Sequence, residues 1–83
     1  KQHDRQMEVG ADICAQMSQG EKRIFGVMIE SHLVAGRQNV VDGKAETYGQ
    51  SVTDACIDWD QTTILLEQFA KAVQARRAKN LAA

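Results

Sequence analysis

Ile24-Phe-Gly-Val-Met-Ile29 carries no polar side chain, and a carboxylate, Glu30, follows it at once. An apolar run this short, bounded by polar residues, predicts a strand buried on both faces over residues 23–31. The competing reading is a buried helical turn ending in a solvated Glu. The Ile, Phe and Val content and the short length favour the strand. Proteins of the α/β class place their chemistry at the carboxyl ends of such strands. Glu30 is therefore the first candidate for function.

The flanks place that strand in an α/β order. In residues 1–20, Met7, Ala11, Cys14 and Met17 follow the spacing of one helical face, with Ile13 beside them. Gly10 weakens the helix from inside, and Gly20 stands where helices end in a left-handed residue. Glu21 and Lys22 link helix to strand. Residues 32–60 show no periodicity, and Gly36, Asn39, Asp42, Gly43 and Gly49 mark turns. At most Val40-Val41 gives a short extended piece. A long irregular stretch starting directly after Glu30 is expected to be a functional loop. Residues 61–79 predict a second helix, with a stripe of Leu65, Phe69, Ala72 and Val73 widened by Leu66 and Ala70. Asp58 or Asp60 is its N-cap candidate, and Arg76, Arg77 and Lys79 suit its negative end.

The order is helix, strand, loop, helix. One two-sided strand cannot make a sheet, because its backbone groups would stay unpaired. The 83 residues are therefore expected to be part of one domain, not a complete one. They form a β/α unit with its preceding helix, from a larger parallel-sheet protein or barrel. The sequence opens on Lys1, not Met, and is expected to be cut from something longer.

Composition excludes several classes. A net charge of −1 gives no electrostatic footprint for nucleic acid or acidic lipid, and no apolar run is long enough for a membrane helix. Cys14 and Cys56 form no CxxC pair and suit a reducing, cytoplasmic setting. GxGxxG, P-loop, HExxH and GxSxG signatures are all missing.

The residues that could carry chemistry are few. Glu30 and Asp54, brought to one rim, could bind a divalent cation or share acid–base work. Equally, Asp54 could cap the next turn and Glu30 could pair with a lysine. His32 follows Glu30 closely, but a lone loop histidine is more often incidental; His3 is given no role. Cys56, two residues beyond Asp54, could be a soft ligand or a reactive thiol, but a buried structural Cys is the default reading. Cys14 belongs to the core face. Lys22–Arg23 and Arg76–Arg77 read as solvated flanks. No catalytic residue is assigned. The residues alone lead to a β/α unit with a possible half-site.

Two motifs then resemble a known family. Gly26-Val-Met-Ile-Glu-Ser-His-Leu33, followed by Tyr48-Gly-Gln-Ser-Val-Thr-Asp-Ala-Cys-Ile-Asp-Trp59, is similar to the C-terminal end of microbial class I 3-deoxy-D-arabino-heptulosonate 7-phosphate synthases. The wording His32-Leu33-Val34 leans towards the phenylalanine-sensitive type. The resemblance implies a (β/α)8 TIM barrel, of about 250 residues or more. Lys1–Gln19 would be its helix seven, Arg23–Glu30 its strand eight, residues 32–60 its active-site βα loop and Gln61–Lys79 its helix eight. It implies condensation of phosphoenolpyruvate with D-erythrose 4-phosphate, the first step of the shikimate pathway, by a transferase of the aldolase type acting as a homo-oligomer. It also implies a divalent cation (Mn2+, Fe2+, Co2+ or Zn2+) held by a Cys, a His, a Glu and an Asp. Glu30 and Asp54 match the Glu and the Asp. Neither Cys56 nor His32 matches the other two, which belong to earlier strands, so the metal site within this chain is incomplete. Alone, the chain is expected to be inactive. The alternatives are a self-associating non-catalytic piece, or a small metal-binding module.

Overall fold

The computed structural model describes residues 3–82. It contains helix α1 (Arg5–Ser18), strand β1 (Val34–Arg37), strand β2 (Gln50–Ser51) and helix α2 (Trp59–Ala82). Both predicted helices are present, and α2 starts two residues earlier and ends three later than residues 61–79.

Local chemistry sets the helix ends. The amide of Gly20 donates to the Met17 carbonyl (2.9 Å) and that of Glu21 to the Gln16 carbonyl (3.1 Å), closing α1 in a Schellman turn. The turn needs the left-handed φ of 106° that Gly20 adopts. At the start of α2, Asp58 is the cap. Its Oδ1 accepts from the Gln61 amide at 2.8 Å, while Gln61 Oε1 accepts from the Asp58 amide at 3.2 Å. This reciprocal capping box satisfies two otherwise orphaned donors.

The helices run parallel. Gly10 faces Leu65 at one end of the seam, and Gly20 lies beside Lys79 and Asn80 at the other. A Cβ on Gly10 would overlap Leu65 Cδ1, so glycine sets how closely the helices approach. This shifts the inner face of α1 from the predicted Met7–Ala11–Cys14–Met17 stripe: Gly10 and Met17 are buried and Ala11 is exposed. The rest of the small core is Cys56, Ile57, Leu65 and Ala72.

Two parallel helices require the chain to return between them. Arg76 Nη1 holds one end of the return, donating to the carbonyls of Glu21 (3.1 Å) and Ile24 (2.6 Å). Gln6 holds the other end at Glu30. At 1.5 Å per residue, α1 climbs about 20 Å between the levels of Gln6 and Gly20. Six residue steps cover about 20 Å only when nearly fully extended. Ile24–Glu30 thus follows the course of a strand antiparallel to both helices.

The predicted strand over residues 23–31 is nevertheless corrected in one respect. It forms no ladder and is not buried: Phe25 is 96% and Met28 90% exposed. No strand among the described residues lies alongside it, so the main chain between Ile24 and Ile29 has no ladder partner. Its only bridge is at the end, where Ser31 pairs in parallel with Ile57.

Residues 32–60 are more ordered than their sequence suggests. β1 and β2 pair in parallel, and Gly36 exchanges hydrogen bonds with Cys56 (2.8 and 3.1 Å). Val41 and Lys44 close a two-residue hairpin around Asp42 (φ 53°) and Gly43 (φ 75°), the pattern of a type I′ turn. Gln38 stitches the excursion together, donating to the carbonyls of Thr47 (2.6 Å) and Gln50 (2.9 Å) and accepting from the Thr47 amide (2.9 Å). The radius of gyration is 16.0 Å, against about 12 Å for a compact domain of this length. Among the described residues, no helix is long and apolar enough to cross a membrane.

Two outcomes follow for the full-length protein carrying this chain. Gly10→Ala should lower unfolding free energy by about 1–3 kcal/mol in denaturant titrations, with Leu65→Val recovering part of the loss in the double variant. Asp58→Ala should cost about 1 kcal/mol through the lost cap, and Asp58→Asn much less.

Candidate functional site

A cleft of about 460 Å³ opens where the return segment ends. Val9, Ile13, Met28, Leu65 and Phe69 give it an apolar floor, and Glu30, Asp54, Arg37 and His3 stand among its lining residues. The structure therefore brings together the two acids singled out from sequence.

Each acid is held through its main chain. The Glu30 amide donates to Gln6 Oε1 at 2.7 Å, and the Glu30 carbonyl accepts from Gln6 Nε2 at 2.8 Å and from the Ile57 amide at 3.0 Å. Around Asp54, Arg37 Nε donates to the Thr53 carbonyl at 2.8 Å and Nη2 to Asn39 Oδ1 at 3.0 Å. Ser51 Oγ accepts from the Thr53 amide at 3.1 Å, and Cys56 Sγ donates to the Asp54 carbonyl at 3.5 Å. The two segments meet at the Ser31–Ile57 bridge, and Ile57 is fully buried.

The carboxylates themselves are left free. Among the described residues neither Glu30 nor Asp54 forms a side-chain hydrogen bond or ion pair. The capping alternative for Asp54 fails because Asp58 takes that role, and no lysine among the described residues pairs with Glu30. Two exposed, uncompensated carboxylates on one cleft suit a cation bound through oxygen. They do not complete a site, since no group of three His, Cys, Asp or Glu side chains among the described residues could hold a metal. The chemistry of the donor set fits half a centre.

The remaining candidates separate cleanly. His32 is exposed, lies outside the cleft, and its Nδ1 accepts from the adjacent Leu33 amide at 2.8 Å. Cys56 is buried in the core. Cys14 is half-buried, and burial pushes its thiol up. Arg76 is a main-chain clamp, not a solvated flank. His3, Gln6 and Arg37 line the cleft without having been expected there. For Gln6 one signal existed: it shares a helical face with Gly10, Ile13 and Met17, and is the single long polar side chain on it.

Comparison with known proteins gives a consistent result. Residues 1–67 match the family model described as the DAHP synthetase I family. A phospho-2-dehydro-3-deoxyheptonate aldolase of Haemophilus influenzae is 61% identical over 77 residues, covering 93% of this chain and 21% of the relative. The Phe-sensitive enzyme of Escherichia coli K12 is 56% identical over 77 residues, 93% of this chain and 22% of that protein. A Trp-sensitive enzyme of Buchnera aphidicola is 50% identical over 76 residues, with coverages of 92% and 22%. The solved structure of the Francisella tularensis aldolase superposes with a TM-score of 0.81 at 54% identity, over 89% of this chain and 21% of that one. The chain thus spans about a fifth of the length of these relatives.

Proposed function

The chain belongs to the DAHP synthetase I family, and from that premise we propose that it supplies two metal-binding carboxylates to a 3-deoxy-D-arabino-heptulosonate 7-phosphate synthase. That enzyme condenses phosphoenolpyruvate with D-erythrose 4-phosphate in the first step of aromatic amino-acid biosynthesis. One observation carries the reading: Glu30 and Asp54, both without a partner among the described residues, line one cleft at the end of an extended apolar segment.

The same premise supplies neighbours for that segment. Helix α1, the return over residues 23–30, the excursion over 31–58 and α2 follow the order of one turn of a (β/α)8 barrel, as helix seven, strand eight, the last βα loop and helix eight. Phe25 and Met28, exposed here, would then pack against the barrel interior and the helical ring. The cleft would lie at the carboxyl ends of the barrel strands, where such barrels carry their active sites.

Within this site Glu30 and Asp54 hold the divalent cation through oxygen and supply negative charge to it. A mixed N, S and O ligand set suits Mn2+, Fe2+, Co2+ or Zn2+. A cation held by these two carboxylates would supply Lewis-acid chemistry towards the aldehyde carbonyl of erythrose 4-phosphate. No catalytic acid or base is assigned within this chain, and alone it should be inactive. The free thiols Cys14 and Cys56 suit a cytoplasmic enzyme. The higher identity to the Phe-sensitive than to the Trp-sensitive relative favours a phenylalanine-responsive parent.

In the full-length protein, Glu30→Gln and Asp54→Asn should each weaken Mn2+ binding by more than about 100-fold, because changes one shell further out already cost about 10–100-fold. Calorimetric titration of the metal-free variants checks this. Unchanged metal content in both would favour the unrelated-module reading. For the isolated chain, sedimentation velocity should show self-association through the Ile24–Ile29 segment; a monodisperse, cooperatively folding monomer would contradict it.

A further inference from the structure

Within Ile24–Glu30, the main chain of Glu30 differs from that of its neighbours. Its amide and its carbonyl are both hydrogen-bonded although no strand lies beside it, and the carbonyl has two donors. Two of the three bonds come from a single side chain. Gln6 closes a ring with the Glu30 residue, accepting from its N–H at 2.7 Å and donating to its C=O at 2.8 Å. This is the pairing that a neighbouring strand would offer, delivered instead by a carboxamide on α1.

Few side chains can make such a ring. It needs one acceptor and one donor side by side and facing the same way, as in a primary amide; a neutral imidazole has one of each, but they point apart. It also needs the reach of Gln, because Asn at the same helical position is one methylene shorter. We propose that Gln6 is a positioning residue for the metal: by fixing the peptide groups of Glu30, it sets where the Glu30 carboxylate points relative to Asp54. The inference rests on the reading of Glu30 as a metal ligand. The third bond, from the Ile57 amide at 3.0 Å, ties the same carbonyl to the segment that carries Asp54. Gln6 therefore governs the spacing of the two carboxylates and not the orientation of one alone. A ligand held loosely must be ordered when the cation binds, and that entropy is subtracted from affinity.

The other end of the return segment provides the control. Arg76 also donates two hydrogen bonds to main-chain carbonyls, those of Glu21 and Ile24, but it does not line the cleft. In the metal-free full-length protein, Mn2+ affinity is measured by the electron paramagnetic resonance signal of the free ion, alongside thermal unfolding. Gln6→Met and the milder Gln6→Asn should each reduce affinity by about 10–100-fold, whereas Arg76→Met should lower the unfolding temperature with affinity within about twofold of wild type. Wild-type affinity in both Gln6 variants, or an equal loss in Arg76→Met, would overturn the positioning role. Glu30→Gln separates the two levels. If it abolishes binding while the Gln6 variants bind normally, only the positioning role falls; if it too binds normally, the ligand reading falls and this inference with it.

Discussion

The backbone of one extended segment governs the arrangement of everything around it. Residues 24–29 offer amides and carbonyls on both edges, and unpaired main-chain groups cannot be buried cheaply. The chain answers at the two ends alone. Arg76 satisfies carbonyls at the start, and Gln6 with Ile57 satisfies Glu30 at the finish. Between those points Phe25 and Met28 face outward. The helices fix the length of the gap that the segment must span, and the Gly10–Leu65 approach fixes how far apart they stand. A residue larger than glycine there would widen the seam and disturb both terminal clamps.

This arrangement explains which features were legible in the sequence. The helices, Gly20 as the terminator of α1 and Asp58 as one of two cap candidates rest on local rules, and local rules were sufficient. Glu30 was found from its place at the end of an apolar run. The pairing of that run was not legible, because pairing is decided by chain that lies elsewhere. The order within residues 32–58 was missed for a different reason. Gln38, Arg37 and Gln6 act through side-chain bonds to main chain, and such bonds leave no periodicity behind them. Asp42-Gly43 did carry a readable type I′ signal, but its strands are too short and too exposed to stand out beside it.

The electrostatics of the cleft complete the picture. Three acids elsewhere are paired, Glu21 with Arg23 at 2.9 Å, Glu67 with Lys71 at 3.8 Å and Glu8 with Arg5 at 3.9 Å; what sets Glu30 and Asp54 apart from the other acids is that they line one cleft together. Two arginines, Arg5 and Arg37, line the same cleft as Glu30 and Asp54, yet neither compensates them. Arg5 is turned to Glu8. Arg37 is committed to the Thr53 carbonyl and Asn39, so this arginine secures the backbone next to Asp54 and leaves its carboxylate open. Two like charges on one partly apolar surface repel, and a divalent cation between them replaces that repulsion with two attractions. The side chains that could have quenched the acids are engaged elsewhere, Arg37 on the main chain beside Asp54 and Arg5 on Glu8, and that leaves both carboxylates open, as the proposed cation site requires.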